Sequence, residues 1–161
     1  MNKFRSIFSF LLAIGIVSSL TGCVDQYLTS AILAGHDAAV ERLVAQGTDV
    51  NKGTAPPLYF AVVKKNMKIV RLLLDHGARV NVEARDGGTP LIAATGSNQI
   101  DMVRVLLKHG ADPDHRGVYI NSSGGLFHIK KEPGTALEIA QKHGYSDILS
   151  LLESYQKKKG N

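Results

Sequence analysis

The sequence predicts an all-α solenoid of stacked helix pairs, and three observations carry that prediction. A glycine-led turn recurs three times, at Gly47–Asn51, Gly77–Asn81 and Gly110–Asp114. An apolar stripe with the spacing i, i+3, i+4 precedes each turn, which is typical of a helix with one buried face. A small residue lies ahead of each stripe, and again near the end of the chain, where it lets two helices approach closely. These residues are Ala31, Ala61, Ala94 and Ala140.

The stripes identify the expected core. Each one is followed by a glycine that can adopt the left-handed conformation and end the helix. The nine stripe residues are Val40, Leu43, Val44, Val70, Leu73, Leu74, Val103, Leu106 and Leu107. Because one helix pair cannot bury such a stripe alone, the pairs are expected to stack into a continuous apolar spine.

The N-terminal segment has the layout of a secretory signal peptide. Lys3 and Arg5 precede a run without charge from Ile7 to Leu20, and small residues lead to Cys23, the only cysteine of the chain. The ending Leu-Thr-Gly-Cys resembles the lipobox of bacterial lipoproteins. This resemblance implies that residues 1–22 are cleaved and that Cys23 carries the lipid.

A retained transmembrane anchor is the alternative interpretation of this segment. The apolar run of 14 residues is shorter than the roughly 20 residues that a spanning helix needs. Val24 follows the cysteine at the position where an aspartate would resemble an inner-membrane retention signal. We therefore expect a lipid anchor in the outer membrane, facing the periplasm.

The charge balance indicates a protein without a nucleic-acid partner. The formal charge is +5, and loss of Lys3 and Arg5 with the signal segment lowers it by two. The remaining excess matches the basic tail, residues 157–161, so the bulk of the chain is neutral. No cofactor and no metal site are expected, because the six histidines are scattered along the sequence.

The repeats align on a common starting position. Gln26, Pro56, Thr89 and Thr135 occupy it, separated by 30, 33 and 46 residues. The third copy opens with Thr-Pro-Leu, in which the threonine caps a helix and the proline suits its first turn. A helix–turn–helix unit of about 33 residues with this opening resembles the ankyrin repeat.

The resemblance implies four ankyrin repeats with β-turn fingers in a domain spanning residues 23–156. The expected repeats cover about 26–51, 52–81, 82–114 and 115–156. Gly35 and His36 match the Gly-His pair that follows the first helix in this family, and Asn98 and Gly144 stand at the glycine position in later copies.

An insertion within residues 115–134 lengthens the last finger by 13 residues. Residues 118–121 and 126–129 are rich in β-forming side chains, and the four residues between them are typical of a turn. The pattern predicts one extended β-hairpin, after which Pro133–Gly134 return the chain to the last helix pair. Because a lone ribbon is marginal in water, its apolar side chains pack either on the neighbouring repeats or against a partner.

In ankyrin proteins the fingers and first helices form a concave wall that binds another protein. Position-by-position transfer of that wall, extended by the hairpin, gives the candidate partner contacts. They are Lys52, Lys64, Arg85, Asp86, Ser97, Tyr119, Phe127, His128, Lys130, Lys131, Lys142 and His143. The wall is mainly basic, which favours a partner with an acidic patch, and the alternative is ordinary surface lysine. Tyr119 and Phe127 are the expected anchors, because aromatic side chains dominate interface energetics.

These features together predict a non-catalytic binding protein on a lipid tether. The chain is similar to ankyrin-repeat immunity lipoproteins of interbacterial toxin systems, some of which guard against phospholipase toxins. That similarity implies that a toxin delivered to the periplasm is the partner. The alternative is a scaffold or stabiliser of an endogenous envelope enzyme. An enzymatic function is not expected, because no nucleophile motif or phosphate loop occurs in the sequence.

Overall fold

The computed structural model describes residues 21–52, 56–121 and 130–159, and for residues 21–26, 121, 130 and 159 it describes the backbone alone. The predicted signal segment up to Leu20 lies outside these ranges. So do the predicted second strand at 126–129 and the candidate contacts Phe127 and His128.

Eight helices and one two-stranded sheet occupy the described ranges. The helices are α1 Thr21–Ala34, α2 Asp37–Ala45, α3 Pro57–Val63, α4 Met67–Asp75, α5 Pro90–Gly96, α6 Ile100–Lys108, α7 Ala136–His143 and α8 Ser146–Lys159. The strands are β1 Gly117–Asn121 and β2 Lys130–Gly134. Because α8 continues to Lys159, the lysines of the predicted basic tail are helical.

The helices form four antiparallel pairs stacked in order. The first helices α1, α3, α5 and α7 contact one another in sequence, and among the second helices α2 packs on α4 and α6 on α8. The predicted stripe residues are buried between them, except for Leu43, which is half-buried. The first helices approach closely at small residues, and three of the predicted alanines are fully buried there, namely Ala61, Ala94 and Ala140.

The glycine turns are joined by asparagine side chains. Asn51 donates to the carbonyl of Gly77 and accepts from the backbone N–H of Arg79, at 2.9 and 2.7 Å. Asn81 makes the corresponding pair with Gly110 and Asp112, at 3.1 and 2.9 Å. Each turn is therefore fixed to the next by two hydrogen bonds, which satisfy backbone groups that the turn leaves unpaired.

The first helices of the third and fourth pairs are capped by a threonine side chain, and that of the second pair is not. Thr89 accepts from the N–H of Ile92, and Thr135 forms a reciprocal capping box with Glu138. Pro56 precedes α3 and provides no side-chain cap.

The ribbon has a second strand, β2, where the sequence analysis expected a connection, whereas the strand predicted at 126–129 lies outside the described residues. β1 pairs antiparallel with β2 so that Gly117 faces Gly134 and Val118 faces Pro133. Pro133 and Gly134 therefore belong to the ribbon instead of returning the chain from it. The sequence Lys-Lys-Glu-Pro-Gly lacks β-forming side chains, yet a two-stranded ribbon has only edge strands, where proline is tolerated.

Candidate functional site

The concave wall of this chain is built from equivalent positions on the first helices. The residue seven positions after each repeat start is Leu33 on α1, Val63 on α3, Gly96 on α5 and Lys142 on α7. Leu33 and Val63 are exposed, whereas Gly96 is buried. The four helix pairs thus present different surfaces at one structural position.

Tyr119 of β1 covers the wall at the third helix pair. Its ring lies directly against Gly96, so closely that a Cβ on that glycine would overlap it. The same ring stands edge-on to His143, with centroids 6.0 Å apart, and His143 stacks on Tyr145 at 5.5 Å. The ring of Tyr119 is therefore half-buried against the neighbouring repeats, which is one of the two packing alternatives that the sequence left open. Its role in binding stays a prediction.

Glu132 of β2 fixes the hairpin to the fourth helix pair. Its side chain is only 3% exposed, and its Oε2 lies 3.1 Å from Lys142 Nζ and 2.9 Å from His143 Nε2. Burial acts to raise the pKa of Glu132, but the hydrogen bonds and positive charges of His143 and Lys142 outweigh it, so that the net pKa is lowered. The carboxylate is thereby held ionised beneath the ribbon.

Two predicted contacts, Lys142 and His143, therefore serve an internal ion pair. The charge of Lys142 is in part balanced by Glu132, which makes the fourth helix pair less basic than the sequence suggested. Sequence reasoning missed Glu132, because it lies in a polar segment that resembles a connection. In β2, exposed Lys131 and Pro133 alternate with buried Glu132 and Gly134, but the polarity of these residues gives no sign of that alternation in the sequence.

Asp86 also has an internal partner. Its Oδ2 accepts from the hydroxyl of Tyr59 at 3.2 Å, and its Oδ1 accepts from the N–H of Gly88 at 3.0 Å. Burial, together with the charge and hydrogen bond of Asp86, raises the pKa of Tyr59 to about 12. Asp86 thus holds the turn before α5 against Tyr59 of α3. A partner could contact only the part of Asp86 that is still accessible to solvent.

The remaining described candidates lie on the surface. Lys52, Lys64, Arg85 and Lys131 are exposed, and Ser97 is half-exposed at the end of α5. The side chain of Lys130 lies outside the described atoms. Their roles in recognition stay predictions.

The histidines and acidic residues of the described ranges do not gather into a metal-ligand cluster. Within residues 21–52, 56–121 and 130–159, no three acidic, histidine or cysteine side chains converge as metal ligands would. His76 and His109 are exposed at the ends of α4 and α6, where the Nδ1 atom of each lies 2.8 Å from a carbonyl one turn earlier. Among the helices in these ranges, none has the length and apolar character to cross a membrane.

Comparison with known proteins identifies the repeat. The family model for ankyrin repeats (3 copies) matches residues 28–117. The B-cell lymphoma 3 protein homolog of Mus musculus is 36% identical over 86 residues, which are 51% of this chain and 19% of that protein. An ankyrin repeat-containing protein of Treponema pallidum (strain Nichols) is 33% identical over 90 residues, which are 53% of this chain and 30% of the relative.

A viral relative aligns over more of the chain. An ankyrin repeat protein of fowlpox virus (strain NVSL) is 29% identical over 162 aligned residues, which cover 96% of this chain and 45% of the relative. This chain spans less than half the length of all three relatives. The family match covers α6 and the helices before it from residue 28 onward, so that the count of four repeats stays a prediction.

Proposed function

This chain belongs to the ankyrin-repeat family, and from that membership we propose that it is a membrane-tethered immunity protein of the bacterial envelope. Ankyrin repeats are protein–protein interaction modules and generally have no enzymatic activity. The observation that carries the proposal is the combination of this module with Leu-Thr-Gly-Cys at residues 20–23. The proposed partner is a toxin, such as a phospholipase, that reaches the periplasm and has an acidic binding patch.

The tether is tested by the Cys23→Ala variant. We expect loss of acyl labelling and release of the protein from the membrane fraction, because the lipid supplies the proposed attachment. The Ser30→Ala variant, at an exposed position on α1, is the control and should remain attached and labelled. Unchanged membrane association and no difference in labelling would contradict the proposed lipid anchor.

We also propose that the fourth helix pair is an ankyrin repeat. Gly144 adopts φ +70° at the position where Gly35 has φ +74° and Asn98 has φ +54°. Thr135 caps α7 as Thr89 caps α5. These shared backbone features support a common origin for pairs three and four, with the hairpin inserted between them.

The partner is tested by affinity capture of tagged residues 23–161 followed by a protection assay. The immunity proposal expects a captured toxin and expects cells that produce this protein to survive exposure to it. The alternative, a scaffold for an endogenous envelope enzyme, expects instead that a resident enzyme is captured and loses activity when this protein is absent. That second outcome would replace the immunity proposal.

The part played by the hairpin connection is tested by deletion of residues 122–129. Asn121 and Lys130 are paired across the ribbon, so a two-residue glycine turn can join them without altering β1 or β2. We expect weaker binding to the captured partner, because Phe127 and His128 are removed while Tyr119 remains. Equal binding and equal protection would show that this connection takes no part in recognition.

A further inference from the structure

The exposed apolar side chains of this protein are not distributed at random. Among the described residues, three large apolar side chains stand out as exposed, namely Tyr27 at 63%, Leu33 at 42% and Val63 at 47%. Leu33 and Val63 occupy the same repeat position on neighbouring first helices, α1 and α3, which contact each other. Because packed helices lie about 8–10 Å apart, the two side chains can face a single extended segment.

On α5 and α7, the other half of the wall, residues of the hairpin cover the repeat position that Leu33 and Val63 occupy on α1 and α3. At the third helix pair it is Gly96, beneath the ring of Tyr119, and at the fourth it is Lys142, which is paired with Glu132. The hairpin thus occupies the part of the wall formed by α5 and α7. The apolar positions on α1 and α3 are the part that stays open in the described structure.

Basic residues accompany this open part. Lys64 and Lys65 follow Val63 directly, and both are exposed. Lys65 adopts φ +57° at the position where other pairs have Gly35, Asn98 and Gly144. A lysine is strained in that conformation, so the backbone alone would favour glycine. The presence of a lysine at this position is therefore not explained by folding, and we attribute it to the charge that the side chain carries.

We propose that Leu33, Val63, Lys64 and Lys65, here called the apolar–basic strip, recognise an acidic segment of a partner protein that carries large apolar side chains. The apolar residues of that segment would bury Leu33 and Val63, and its carboxylates would meet the two lysines. The hairpin excludes the same segment from the third and fourth pairs. This inference rests on the proposed binding function and adds the surface and the chemistry of the partner.

The test uses a random 12-residue peptide library displayed on phage, selected against residues 23–161. The inference expects enrichment of peptides that combine Asp or Glu with large apolar residues. The Val63→Asp variant should weaken their binding at least about tenfold, as for an interface anchor. The Lys64→Ala/Lys65→Gly variant should also weaken it and reduce its dependence on salt, because two charges are removed and the strained backbone is relaxed.

Tyr27→Asp is the matched control. Tyr27 is an even more exposed apolar residue, on α1, but it does not occupy the shared repeat position. Its substitution should therefore change peptide affinity by less than about twofold. Circular dichroism establishes that each variant is folded, and Val63→Ser replaces Val63→Asp if the charged variant unfolds. Enriched peptides that bind the Val63 and lysine variants as tightly as the wild type would overturn the inference and leave the binding function intact. Failure to enrich any peptide over a folded control protein would also overturn the inference, whereas the binding function is decided separately by the capture experiment.

Discussion

The carboxylate of Glu132 is almost withdrawn from solvent, and it keeps its charge because Lys142 and His143 approach the same oxygen. A buried charge is costly unless it is paired and hydrogen-bonded. The ion pair joins β2 to α7, the helix that follows it in sequence. Its loss should therefore weaken the packing of the hairpin on the fourth helix pair.

The Glu132→Gln variant is expected to be less stable than the wild type at pH 7, by about 1–3 kcal/mol, because hydrogen bonds to a charged group are lost. The folded-state pKa of Glu132 is lowered, so the stabilising contribution is present above its ordinary value near 4.3 and disappears as the pH falls through the lowered value. The stability difference between variant and wild type should therefore shrink below about pH 4.3. Urea unfolding at several pH values measures it. A difference that stays constant down to pH 3 would refute the pairing, and Glu153→Gln on the exposed side of α8 serves as the control.

The hairpin is the element whose position depends most on one close contact. Gly96 ends α5 directly under the ring of Tyr119. On an open helix, alanine is more favourable than glycine by up to about 1 kcal/mol. At Gly96 the added methyl group would displace the ring, and with it β1.

Gly96→Ala is accordingly expected to destabilise the protein by about 1–3 kcal/mol, as overpacking does. The same substitution in a Tyr119→Ala background should instead be neutral or stabilising, because the ring is gone. Thermal unfolding of the four proteins gives the coupling energy between the two sites. If Gly96→Ala had the same effect in both backgrounds, the contact between ring and helix would not contribute to stability.

Prediction from the sequence succeeded for β1 and failed for β2, for a physical reason. Tyr119 and its neighbours are β-forming residues, so their strand was predictable. β2 contains Lys131, Glu132 and Pro133; it is a strand because it pairs with β1, and side chains of α7 hold Glu132 beneath it. A contact between side chains of two different elements leaves no periodic pattern, so neither the register of the hairpin nor the buried carboxylate could be derived beforehand.

At the scale of the whole molecule, stability is expected to depend on the spine and not on the exposed turns. Leu106 is fully buried, whereas His76 is exposed at the end of α4. Leu106→Ala should lower the free energy of unfolding by about 2–5 kcal/mol because it leaves a cavity, and His76→Ala by about 0.5 kcal/mol or less. Chemical denaturation of the two variants compares them. A larger loss for His76→Ala would mean that the repeat register is wrong.

The repeat architecture was predictable because its signals are local and recur. The stripe around Leu73 and Leu106 fixes which face is buried, and the glycines of the turns fix where the second helices end. The position of Leu33 and Val63 on one wall also follows from that register. Their exposure does not, because it depends on where Tyr119 and the hairpin pack.

The asparagine links between turns have a consequence for how the chain folds. They join groups only 26 to 31 residues apart in sequence. The entropy lost in closing such short loops is small, and structures dominated by near-neighbour contacts fold quickly for their size. Each helix pair can therefore dock on its predecessor once about 30 further residues have been synthesised. In this protein the order of folding can follow the order of synthesis, with the ribbon and the final pair closing last.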